Sequence, residues 1–122
     1  MKARSRWLLV LTAAALLFAA CSGGSSIDAD AGSDFSVVVG EAPIFDACDS
    51  AGEIENYEWQ ITGAPDNRTD DVGKPLRTTM NECSFELESA MLVDDVGEWT
   101  IELTVTSGSE SATDAVTVEV TE

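Results

Sequence analysis

The sequence predicts an all-β fold, an antiparallel sandwich of six or seven short strands, and two observations carry that prediction. Apolar residues alternate with polar ones at a period of two rather than at helical spacing, and clusters of Gly, Pro, Asn, Asp and Ser interrupt the alternation. The clearest run sets Trp99, Ile101, Leu103 and Val105 against Thr100, Glu102, Thr104 and Thr106, which gives one strand an apolar and a wet face. Packing several such faces together in layers is the economical way to bury them.

The chain of 122 residues opens with Lys2, Arg4 and Arg6, followed by a 14-residue apolar stretch over 7–20. A basic start, an apolar run and small residues at its end are the grammar of an export signal. The run is shorter than the ~20 residues a membrane-spanning helix needs. Its ending, Leu17-Phe18-Ala19-Ala20-Cys21, resembles the lipobox of bacterial lipoproteins. That resemblance implies cleavage before Cys21, a diacylglycerol on its thiol, and an exported protein anchored through that lipid at an outer membrane or cell surface. Ser22-Gly23-Gly24-Ser25-Ser26 suits a polar spacer. The expected organisation is a signal peptide over 1–20, lipidated Cys21 with a flexible linker over 21–33, and one folded domain over 34–122.

Within that domain the strands follow in order. Two short ones, 35–39 and 42–47, flank Gly40-Glu41, and a third carries Tyr57, Trp59 and Ile61 on one face. Residues 63–75 are turn-rich and read as a long loop that holds at most a short edge strand. Phe85 and Leu87 mark the next strand. The Trp99–Val105 run and a last one, in which Ala112, Val116, Val118 and Val120 alternate with Thr113, Ala115, Thr117 and Glu119, form a hairpin around Ser107-Gly108-Ser109.

The succession Ala31-Gly32-Ser33-Asp34, Val39-Gly40-Glu41, Phe45-Asp46-Ala47, Tyr57-x-Trp59, Gly97-x-Trp99-x-Ile101-x-Leu103-x-Val105 and Val116-x-Val118-x-Val120 resembles a PKD domain. The resemblance implies an immunoglobulin-like antiparallel sandwich of about seven strands, used in surface proteins for structural roles or for binding protein or polysaccharide. With Cys21 acylated, Cys48 and Cys83 remain as an even pair. A disulfide is the default for them in an oxidising compartment, the alternative being two separate buried thiols. A separation of 35 residues gives such a link roughly 3–4 kcal/mol of stabilisation by the loop-entropy model. In a PKD-like sandwich, strand 42–47 lies antiparallel to 83–88, which makes the two cysteines neighbours. Strand parity points Cys48 outward, so a bend after Ala47 is expected.

Charge and residue types narrow the chemistry. All 23 acidic residues lie beyond residue 20, and with Arg68, Lys74 and Arg77 as the basic residues there, the mature part carries a net charge of −20. Such a field repels phosphate backbones and anionic headgroups, which excludes nucleic acid and leaves any membrane attachment to the lipid. Histidine is absent, so the commonest general base and metal ligand are missing, and no Gly-x-Ser-x-Gly elbow occurs. The chain is read as non-catalytic and without a cofactor; a carboxylate-based hydrolase is the remote alternative. Asp46, Asp49 and Glu53, or Asp94, Asp95 and Glu98, could offer oxygen ligands to calcium, which would make the domain a calcium-dependent carbohydrate-binding or adhesion module. Arg68, Lys74 and Arg77 form either a positive binding spot or internal charge relief. Trp59 and Trp99 are expected in the core.

Overall fold

A computed structural model of the chain describes residues 26–122; the expected signal peptide and lipidated Cys21 lie outside the described residues. Among these, seven strands form: β1 (Phe35–Val38), β2 (Ile44–Asp46), β3 (Asn56–Gly63), β4 (Pro75–Met80), β5 (Ser84–Glu86), β6 (Gly97–Ser107) and β7 (Glu110–Thr121). The larger sheet has the order β1-β7-β6-β3-β4, and β2 and β5 pair as a small second sheet. The result is a curled, immunoglobulin-like sandwich with its core between the two layers.

The alternation in β6 and β7 becomes an unbroken antiparallel ladder from Gly97 opposite Val120 to Ser107 opposite Glu110. Gly108 at φ +60° takes the first central position of the two-residue turn, the II′ geometry that matches strand twist. Because the period is two throughout, Ile101, Leu103 and Val105 face inward together with Val116, Val118 and Val120, and all six are buried. Trp59 and Ile61 on β3 continue that face. The small sheet answers with Phe45 and Phe85, which lie directly opposite each other in the β2–β5 register. Their rings sit 5.3 Å apart, and Trp59 approaches them at 5.4 and 5.8 Å, so three aromatic rings clamp the layers.

The cysteines meet as expected: Cys48 and Cys83 form a disulfide with Cα atoms 4.8 Å apart. The chain turns after Ala47, where Asp46 Oδ1 accepts a hydrogen bond from the Cys48 amide, and the Ala47 amide donates to Cys83 O at 2.7 Å. Cys48 is exposed and Cys83 half-buried, which rules out the alternative of two buried thiols.

Three expectations need correction. Not every strand pair is antiparallel: β1 runs parallel to β7, with Phe35 opposite Val118 and Val38 opposite Thr121. Residues 26–33, expected to be part of a flexible linker, instead pack on the sandwich. Ile27 and Ala31 are buried, and Asp28 exchanges two backbone hydrogen bonds with Ala51. Ser26 is held by Glu110, the Ala31 amide by Asp114, and Asp34 accepts from the Thr117 amide. The segment thus starts beside the β6–β7 turn and tracks β7 in the same direction, which is why β1 joins it in parallel. Gly32, at φ +87° and with a side-chain position 3.0 Å from Asp46 O, makes the bend between the two layers.

The third correction concerns the 63–75 loop. It contains a 3₁₀ turn over Asp66–Asp71, and the edge strand β4 follows it. β4 pairs with β3 through a register shift at Trp59/Gln60. Its fully buried residue is polar: Thr79 is buried and its hydroxyl donates to Glu82 O at 2.7 Å.

Two stability measurements follow. Replacing Cys48 and Cys83 together by alanine lowers the unfolding free energy in urea by roughly 3–4 kcal/mol. Ile27→Ala costs about 2–5 kcal/mol, as for a core isoleucine, whereas a linker residue would cost nothing measurable.

Candidate functional site

β2 and β5 are three residues long, while β3, β6 and β7 have 8, 11 and 12. The small sheet therefore leaves part of the larger one uncovered at the end where β6 begins and β7 finishes. A cleft of about 340 Å³ opens there. Phe45, Ile61, Ile101, Val118 and Val120 line it from the core, and Pro43, Leu87 and the 89–92 segment form its outer wall. That segment is held to the β1–β2 turn by paired hydrogen bonds, Met91 N to Glu41 O and Gly40 N to Met91 O. Leu92 and Val93 stand exposed beside the mouth.

The opposite wall is polar. Two short 3₁₀ turns, Asp66–Asp71 and Val93–Asp95, approach so closely that a side chain at Gly97 would sit 2.6 Å from Pro65. Asn67 Nδ2 donates to Asp94 O at 2.9 Å. The Arg68 guanidinium bonds Asp95 on the second turn and Asp71 on its own, and lies 5.4 Å over the Trp99 ring. Trp99 Nε1 donates to Asp95 O, and Asp95 Oδ2 accepts from the Leu92 amide. Partial burial pulls the Arg68 pKa down, but the hydrogen bonds and charges of Asp71 and Asp95 outweigh it and leave it raised. The Lys74 hydrogen bond, with Arg68 adding to it, holds the Asp71 carboxyl below its ordinary value against an opposing contribution from desolvation.

Each residue singled out in the sequence can now be located. Arg68, Lys74 and Arg77 are charge relief: Lys74 pairs with Asp71, and Arg77 pairs with Glu88 while lying over the Phe85 ring. Asp46, Asp49 and Glu53 do not converge with Asp94, Asp95 and Glu98, and among the described residues no group of three or more such side chains is placed to hold a metal ion. Trp59 is core. Trp99 is not: it is half-buried on the cleft wall, because the small sheet does not reach the start of β6. The wall residues Met91 and Leu92, with Val93 beside the mouth, carried a signal in the sequence, three consecutive apolar residues with no alternating partner, which fits neither a strand face nor an ordinary loop.

Neither a protein-family model nor a curated protein sequence matches the chain. Solved structures do match it. One is the solution structure of the PKD domain, residues 329–428, of human KIAA0319, to which this chain is similar with a TM-score of 0.54 and 19% identity over 84% of this chain and 91% of that one. At that identity the likeness establishes a related fold, a PKD-like sandwich.

The rim makes a pH-dependent prediction. Because the Asp71 pKa is depressed on folding, its contribution is present above the unfolded carboxylate pKa and is lost as pH falls through the lower folded value. Lys74→Met therefore lowers the melting midpoint at pH 7, and the gap to the native chain narrows as the scan pH is taken down through and below the ordinary carboxylate range.

Proposed function

We propose that the chain is an exported lipoprotein, anchored through Cys21, whose PKD-like sandwich is a non-catalytic module for binding protein or polysaccharide at a membrane or cell surface. The observation that carries the binding reading is the position of the cleft relative to the start of the domain. Ser26 is held at the β6–β7 turn, and Trp99 on the cleft wall lies at the other end of β6. At the usual strand rise, the stretch from Ser107 to Trp99 separates the two ends by about 27 Å. An anchor at Cys21, five residues before Ser26, would join the domain at the end opposite the cleft, which favours access by a partner.

The absence of histidine from the sequence supports a role without catalysis, as does the way Arg68 and Asp95 in the cleft are spent on each other. A calcium-dependent adhesion module is less well supported, since its two acidic loops do not converge.

Metabolic labelling with a fatty acid in a bacterial host tests the anchor. The native chain incorporates label and partitions into detergent, while Cys21→Ser does neither and its sandwich melts at the same temperature. A native chain that stays unlabelled and aqueous sinks the lipoprotein reading.

A further inference from the structure

We infer that the cleft receives a cationic polypeptide segment, which inserts an apolar side chain between the sheets and sets its lysines or arginines against an acidic rim. The inference rests on the binding-module reading and supplies the chemistry of the partner. It draws on two independent features, the apolar recess and the charge around it.

The recess is lined by core side chains, and its mouth is flanked by Leu92 and Val93, 65% and 64% exposed. Large apolar residues left in water beside an apolar recess are the composition of a recognition patch. At about 340 Å³ the space lies at the small end of ligand pockets, enough for an anchoring side chain rather than an extended ligand.

Among the described residues, the three cations are already paired with carboxylates. Asp66, Asp70 and Asp94, which lie on the two rim turns, take part in none of these ion pairs. The rim is therefore negative and uncompensated, on a domain that is itself strongly acidic. A second copy of the chain would be repelled, and so would a fatty acid or an anionic lipid. A neutral glycan would gain nothing from the rim. A basic segment with an apolar centre satisfies both features, with the anchor supplying affinity and the flanking charges supplying steering and orientation.

The test is calorimetric titration of the full-length protein in zwitterionic micelles, with micelle blanks. The probe is a synthetic nonapeptide with three lysines on each side of a Leu-Phe-Leu centre. Three companions are a serine-centred version, a version with glutamate flanks, and a neutral gluco-oligosaccharide.

The lysine-flanked apolar peptide should bind at least about tenfold tighter than any companion and weaken about tenfold between 50 and 500 mM salt. Leu92→Ser and Asp94→Asn, both at exposed positions, should each weaken it at least about fivefold. Glu53→Gln makes the same charge change at the opposite end of the domain and should leave binding unchanged. Equal losses from Glu53→Gln and Asp94→Asn, or equal binding of the serine-centred peptide, would mean attraction by net charge alone and overturn the proposal. Oligosaccharide or glutamate-flanked peptide binding that Leu92→Ser weakens overturns the peptide chemistry and leaves the binding-module reading standing. Failure of every probe overturns both.

Discussion

The structure depends on the contact among Phe45, Phe85 and Trp59. A two-stranded sheet of three-residue strands has too few ladder hydrogen bonds to hold its place, so side chains must fix it to the larger layer. The three rings do this, with Phe35 joining edge-on at 5.8 Å from Phe45. Aromatic pairs of this kind add about 0.5–1.5 kcal/mol each beyond the area they bury. The disulfide and the Ala47–Cys83 hydrogen bond then secure one end of the small sheet, and Leu87 N to Pro43 O extends it at the other. What the small sheet fails to cover becomes the cleft, so the brevity that makes the aromatic clamp necessary also creates the candidate site.

Electrostatics shape the rest. With such an excess of acid, the few cations are used where aspartates crowd, and Arg68 is the clearest case. It joins two turns separated in sequence, pairs with a carboxylate on each and covers one face of Trp99. Replacing it by a lysine would keep the charge but lose the planar fork that reaches both turns at once. The same pairing that stiffens the rim also leaves the neighbouring carboxylates without partners.

Much of this was legible in the residues. Strict alternation identified β6 and β7 and their turn, and parity of Cys48 and Cys83 anticipated the bend after Ala47. Two elements were hidden for identifiable reasons. Ile27-Asp28-Ala29-Asp30-Ala31 does alternate, but alanine is too weakly apolar to stand out, and the glycines and serines before it resemble a linker. β4 hides because its buried position is Thr79, a polar residue that satisfies its hydroxyl locally. The cleft itself could not be read from the sequence, since it arises from a mismatch in length between two layers. The half-buried position of Trp99 on the cleft wall follows from that mismatch, whereas periodicity alone placed it in the core.

The edges of the larger sheet carry a further consequence. β4 begins with Pro75, which lacks an amide donor, and its pairing with β3 breaks register at Trp59/Gln60. At the far side β1 has four residues before Gly40 turns the chain away. Neither margin offers a long, regular row of free amides and carbonyls to a neighbouring chain. A protein built this way resists strand-to-strand polymerisation even when many copies are confined at high local density, and can be displayed in a crowded array without fusing into fibres.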